Sequence, residues 1–242
     1  MKKLSLFLSI VAAAFLMTSC LGESETYYSG APLSYITVTD EGTRYARTSD
    51  GLPMTSSTIQ QEMPGSFVFI AYSWKESLNT ISAEGIYNVT VTDISDPIEQ
   101  TTLIPGEAPV LETELPLLAF GNPGYAGAYF DYHLIAAYGY EEGDGNKKEL
   151  RFYHDFEEES DNKVFIDIRL VNSTTGTVNK DQENVLVAVN FEQLHDHYSE
   201  GMSPGAQKTI PLYFRYYREK SDGTIELHET TQPYMMPIAK EE

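Results

Sequence analysis

The sequence predicts an all-β protein, with two β-rich stretches on either side of a proline-rich one. Three observations carry that prediction. Apolar residues recur with a period of two rather than 3.6, as in strands with one buried and one wet face. Short Gly, Asp and Asn turn signals interrupt these runs at close spacing. The strands follow one another without helical crossovers, which favours antiparallel pairing in a sandwich. A chain of 242 residues with 41% hydrophobic content is globular and holds one large or two small domains.

The first element is an address and not part of the fold. Lys2 and Lys3 precede an uncharged apolar run, Leu4 to Met17. That run falls short of the ~20 apolar residues that span a bilayer and has the length of a signal-peptide core. Met17-Thr18-Ser19-Cys20 closes it. Small residues before a cysteine at this place resemble a bacterial lipoprotein signal, with Met17 standing where Leu is usual. The resemblance implies that residues 1–19 are removed, and that Cys20 is diacylated on sulfur and acylated on its new N-terminus. Two or more acyl chains, palmitate-like, give stable anchoring where one gives only marginal binding. The plainer alternative is an incidental thiol after an ordinary cleaved signal. Cys20 is the only cysteine, so an internal disulfide and a Cys-based zinc site are both excluded. Leu21, in place of the Asp that retains many Gram-negative lipoproteins at the inner membrane, favours the outer membrane. Both its periplasmic and its surface face stay open. Residues 20–32, polar and small at their start, read as a tether.

Charge narrows the partners. Sixteen Lys and Arg against 36 Asp and Glu give a net charge of −20; loss of Lys2 and Lys3 leaves 14 cations and a net −22. Such a chain repels phosphate backbones, which argues against nucleic acid. Its acidity reads as solubility and as stand-off from an anionic membrane surface.

The β elements follow in order. In the stretch 33–98, Leu33 to Thr39 is β-branched and aromatic, Asp40-Glu41-Gly42 turns it into Thr43 to Thr48, and Ser49-Asp50-Gly51 turns it again. Phe67 to Trp74 is an apolar run of strand length, and Ile86 to Ile94 sets Tyr87, Val89 and Val91 opposite Asn88, Thr90 and Thr92. Residues 99–116 carry Pro105, Pro109 and Pro116 and read as a linker, or a linker with one edge strand. In 117–242, Tyr129 to Tyr140 reads as one strand and Glu149 to Phe156 as the next. Val164, Ile166, Ile168 and Leu170 alternate with Phe165, Asp167 and Arg169; Val185 to Val189 follows. Ile210, Leu212, Phe214 and Tyr216 alternate with Tyr213, Arg215 and Tyr217, and Ser221-Asp222-Gly223 turns into Thr224 to Thr230. Phe191 to Tyr198 is the one helical candidate, about two turns long.

The order of these segments resembles a family. The lipoprotein signal is followed by Tyr35-Ile36-Thr37-Val38-Thr39 with its acidic-Gly turn, by Gly65 to Tyr72, and by Ile86-Tyr87-Asn88-Val89-Thr90-Val91 leading into prolines. Val187-Ala188-Val189-Asn190-Phe191-Glu192-Gln193-Leu194 and a Tyr-rich late strand complete it. This layout resembles the NigD-like lipoproteins of Gram-negative anaerobes. The resemblance implies a small N-terminal OB-like barrel (33–98), a linker (99–116) and a larger C-terminal antiparallel β-sandwich (117–242). It implies no catalytic residues and no cofactor.

Candidate chemistry is sparse. Gly201-Met202-Ser203-Pro204-Gly205 matches G-x-S-x-G, but a nucleophile elbow needs a following helix and an N–H after the serine, and Pro204 has none. The segment reads as a turn. His195 and His197, with Glu192, Asp196 and Glu200 near, could suggest a metal, yet alternate residues on a helix point apart. Glu141, Glu142, Asp144 and Asn146, and Asp155, Glu157, Glu158, Glu159 and Asp161, are clustered carboxylates of the kind calcium takes; solvated loops are the plainer reading. Tyr213, Arg215 and Tyr217 form an aromatic-plus-Arg stripe that could contact a sugar or peptide if the strand's other face packs in the core. The alternative is cover by a neighbouring element. No catalytic, metal or cofactor residue follows. The expectation is a lipid-anchored, non-enzymatic envelope protein with a protein or glycan partner. Calcium-dependent adhesion or assembly, or a hydrolase built on carboxylates that meet only in the fold, is the alternative.

Overall fold

The computed structural model describes residues 26–76, 81–82, 85–112, 114–121, 128–130, 132–142, 148–157, 163–172 and 181–240. Residues 1–19, Cys20, Asp144, Asn146, Glu158, Glu159 and Asp161 lie outside them. The chain divides into two compact units, Met1–Ile98 and Glu99–Glu242.

The first unit contains β1 (Tyr27–Gly30), β2 (Leu33–Val38), β3 (Arg44–Thr48), β4 (Pro53–Thr55), β5 (Phe67–Lys75), β6 (Tyr87–Asn88) and β7 (Thr90–Ile94). Hairpins join β2 to β3 and β3 to β4, β4 pairs in parallel with β6, and β5 pairs with β2 at one edge and β7 at the other. β6 and β7 are one run interrupted at Val89, so the ladder closes into a five-stranded barrel of OB type, which leaves no long open edge. Alternation supplies the core: Ile36, Ala46, Met54, Val68, Ile70 and Val89 point inward, and Ile59, from a single 3-10 turn, is fully buried with them. In the β3–β4 turn Gly51 takes φ +87°, a conformation that a Cβ disfavours. The Thr48 hydroxyl there pairs with Asp50 and accepts the Leu52 N–H at 2.8 Å. Part of the expected tether is strand. Tyr27–Gly30 pairs with β5, and Tyr28 stacks on Trp74 with centroids 4.2 Å apart, so aromatic contact orders residues that composition marked as spacer.

The second unit contains β8 (Glu99–Pro105), β9 (Ala119–Phe120), β10 (Ala128–Phe130), β11 (His133–Glu142), β12 (Lys148–His154), β13 (Val164–Asn172) and β14 (Asp181–Asn190). After helix α1 (Glu192–Ser199) come β15 (Gln207–Glu219), β16 (Ile225–Glu229) and β17 (Tyr234–Ala239). One layer is β9, β10, β11 and β14; the other is β12, β13, β15, β16 and β17. Their inner faces share one core, in which Leu134, Val187 and Val189 meet Phe152, Ile166, Leu212 and Phe214. Phe152 and Ile166 are fully buried, each worth about 1.5–3 kcal/mol over exposure.

Three features differ from the expected pattern. Residues 99–105, read as linker or as a linker with one edge strand, form β8, which is no edge but joins the layers: its first half pairs with β14 and its second with β12, both in parallel. Pro97 and Pro105 sit before the strand and at its last residue, where a missing N–H interrupts no ladder. With β13 and β15 also parallel, the sandwich is mixed rather than purely antiparallel. Finally, the stretch read as one strand from Tyr129 is a hairpin, β10–β11, with Tyr132 at φ +65°. Beyond β8, residues 106–112 and 114–118 belong to a strap. It leaves beside His154 through a Gly106 N–H bond to the His154 carbonyl, and rejoins where Leu115 bridges Leu170 and Leu117 donates to the Tyr217 carbonyl at 2.8 Å. Its ends lie at opposite ends of the β12–β13 pair, and Glu114 lies beside the outward-facing Arg169.

Candidate functional site

The outer face under and beside the strap holds the most organised polar chemistry among the described residues. Strand alternation puts Tyr153, Asp167, Arg215 and Glu229 in register across β12, β13, β15 and β16. Asp167 and Arg169 are only 8% and 6% exposed, although the two-residue period places them on the face away from the core. Asp167 lies between Arg215 and Arg169, and Glu114 of the strap faces Arg169 at 3.9 Å.

The Asp167 carboxylate accepts two bonds from the Arg215 guanidinium, Nε to Oδ1 at 3.0 Å and Nη2 to Oδ2 at 2.5 Å, the fork geometry that favours Arg over Lys. Arg169 Nη1 lies 3.7 Å from the same carboxylate and donates to the Ile168 carbonyl at 3.1 Å. Each cation also faces an aromatic ring. Arg215 is 4.5 Å from the Phe165 centroid, Arg169 5.1 Å from Tyr217, and Lys163 4.7 Å from Tyr213. Lys163 reaches Glu229 at 3.3 Å, and Glu149 bonds Arg151 and holds its guanidinium firmly protonated. The face is thus close to charge-neutral on a strongly acidic chain.

The predicted stripe is here, but in another form. Tyr213, Arg215 and Tyr217 do share one face, each half-buried, with the rings topped by cations and Arg215 held by Asp167. The sequence reading missed Asp167, Arg169, Lys163 and Glu114 as members. The available signal was Phe165-x-Asp167-x-Arg169 in step with Tyr213-x-Arg215-x-Tyr217, two strands repeating aromatic and charge on the outward positions.

The other candidates do not converge. His195 is buried against Tyr132, centroids 4.6 Å apart, while His197 is exposed and packs on Phe156 and Tyr198. A shallow, open depression beside them is lined by Asp196, His197, Ser199, Glu200 and Lys240. Ser203 lies in a turn between two positive-φ glycines, Gly201 and Gly205, and strand β15 rather than a helix follows. Of the acidic loops, Asp155 accepts the Glu157 N–H at 3.0 Å in a local turn.

The structure defines a class: an all-β protein with an OB-type barrel followed by a β-sandwich, its outer sandwich face built from paired charges and rings. No family model matches the sequence, and no curated protein matches it. Solved structures do. An uncharacterised protein from Parabacteroides merdae is 14% identical with a TM-score of 0.63, over 88% of this chain and 100% of its own. A NigD-like immunity protein from Bacteroides caccae is 14% identical with a TM-score of 0.51, over 86% of this chain and 94% of its own. A putative lipoprotein from Bacteroides fragilis is 11% identical with a TM-score of 0.53, over 84% of this chain and 97% of its own. The fold is that of the NigD-like proteins, in agreement with the resemblance carried by the order of the sequence segments.

Proposed function

We propose that the chain is a lipid-anchored envelope protein, held at the outer membrane through Cys20, that acts by binding a partner protein with the outer face of its sandwich. The observation that carries this reading is the composition of that face. On a chain of net charge −22 after maturation, Arg151, Lys163, Arg169 and Arg215 gather with Phe165, Tyr213 and Tyr217. Arg and Tyr are the residues enriched at interface hot spots. The descriptions of the structural neighbours support it: one is a NigD-like immunity protein, one a putative lipoprotein, and none of the three names an enzymatic activity.

Lys163 and Tyr213 sit at the open rim of the face and carry the test. Cross-linking in intact cells should give a discrete adduct with the wild type that disappears in a Lys163→Glu, Tyr213→Ala variant of unchanged membrane level. An adduct pattern identical in both proteins contradicts the assignment of this face.

A further inference from the structure

We propose that Arg169 is the centre of a carboxylate-binding site now occupied by the chain's own Glu114, and that its external ligand is an extended acidic segment of the partner protein. The inference rests on the binding reading above and names what that face recognises. The Arg169 side chain is 7% exposed, and its Nε has no hydrogen-bond partner. The group this nitrogen faces is Glu114 Oε1 at 3.9 Å, outside hydrogen-bond reach. A buried donor without a partner is destabilising, and a carboxylate seated roughly 1 Å closer would give it a charge-assisted bond.

Glu114 is held back by its own strap. Its Oε1 also accepts the Leu111 N–H at 3.1 Å. Behind it Leu115 is bridged to Leu170, and Leu117 is 2% exposed and bonded to the Tyr217 carbonyl. Glu114 Oε1 is thus shared between the Leu111 N–H and Arg169, while the Leu115 bridge and the Leu117 bond fix the backbone on its C-terminal side. Upstream, Gly106 starts the strap at φ +106° bonded to the His154 carbonyl, Ala108 is buried and Val110 is 90% exposed.

The rest of the site is prepared for a carboxylate. Tyr217 supports the guanidinium, Nη1 is satisfied by the Ile168 carbonyl, and Arg151 is the cross-strand neighbour of Arg169. The present occupant is an extended peptide that joins the sheet through backbone bonds, so the ligand that fits the same place is an extended peptide with one acidic side chain.

The probe is N-acetyl-Glu-Leu amide, with N-acetyl-Gln-Leu amide as control, titrated calorimetrically into the mature chain in detergent. Glu114→Gln removes the competing charge and should bind the Glu probe about tenfold more tightly than the wild type does, the scale of an ordinary coupling between sites. The Gln probe should show no such gain, and Arg169→Lys in the Glu114→Gln background should lose it, because an ammonium lacks the fork. Equal binding of the two probes, or no gain on Glu114→Gln, overturns the proposal. If the Arg169 variant does not fold, the comparison of the two probes on Glu114→Gln decides alone. Such a failure is separable from failure of the binding reading, whose cross-link depends on Lys163 and Tyr213 and not on Arg169.

Discussion

Replacing Asp167 with alanine removes the carboxylate that Arg215 and Arg169 share, and the structure sets the size of the effect. Removing one partner of a buried ion pair costs about 3–5 kcal/mol, because the other charge is left without compensation. Arg215, with 23% of its side chain exposed, can recover some hydration; Arg169, at 7%, cannot. The expected loss is therefore at the lower end, about 3 kcal/mol. For a domain of this size 1 kcal/mol moves Tm by roughly 2–4 °C, so the midpoint should fall by roughly 6–12 °C. Asp167→Asn, which keeps the shape and one acceptor, should fall less. Replacing Asp167, Arg169 and Arg215 together with apolar residues of similar volume should bring stability back close to the wild type, since a buried ionic network is worth little against good packing. Thermal and urea unfolding of the four proteins measures this. An Asp167→Ala midpoint within about 2 °C of the wild type refutes the reasoning, because Asp167 would then not be compensating buried charge.

Three further outcomes follow from the same structure. Phe152, fully buried between the sandwich layers, should cost about 3–5 kcal/mol on replacement by alanine, read from the urea midpoint. Tyr28→Ala should cost about 1 kcal/mol and shift the emission of Trp74, the sole tryptophan, to the red, as the stacked ring that covers its face is lost. His228 is held below its ordinary pKa of 6.5, first by burial and then by the neighbouring Arg218. The unfolded chain takes up that proton before the folded one does, so this contribution is full above about pH 6.5 and is lost as the pH falls through the window beneath it; His228→Gln should flatten the acid slope of the urea midpoint.

The elements legible in the sequence were those that alternate strictly. Val164 to Leu170 and Ile210 to Tyr216 became β13 and β15 with the inward set as read, and Phe191 to Tyr198 became α1 within one residue at each end. β8 was hidden because its first residues, Glu99-Gln100-Thr101-Thr102, are polar and its ends carry proline; what makes it a strand is the pair of neighbours on either side, β14 and β12, which come much later in the chain. β17 was hidden for a related reason: Pro237 lies inside it, tolerated because the strand pairs only with β15. For the candidate site, alternation placed Asp167, Arg169 and Arg215 on the face away from the core, and left open whether that face is exposed or covered by a neighbouring element. Arg169 is faced by Glu114, more than fifty positions earlier, and no local pattern reports a neighbour supplied from that distance.

The central claim is a lipid-anchored binding protein, and the state of residue 20 in the mature protein tests it most directly. Intact-mass analysis of the protein from host membranes should show a chain that begins at Cys20 and carries three acyl chains, two through sulfur and one on the amine. The wild type should enter the detergent phase, and Cys20→Ala should stay in the aqueous phase. A mature chain with an unmodified residue 20, or one that begins elsewhere and partitions into water, contradicts the account.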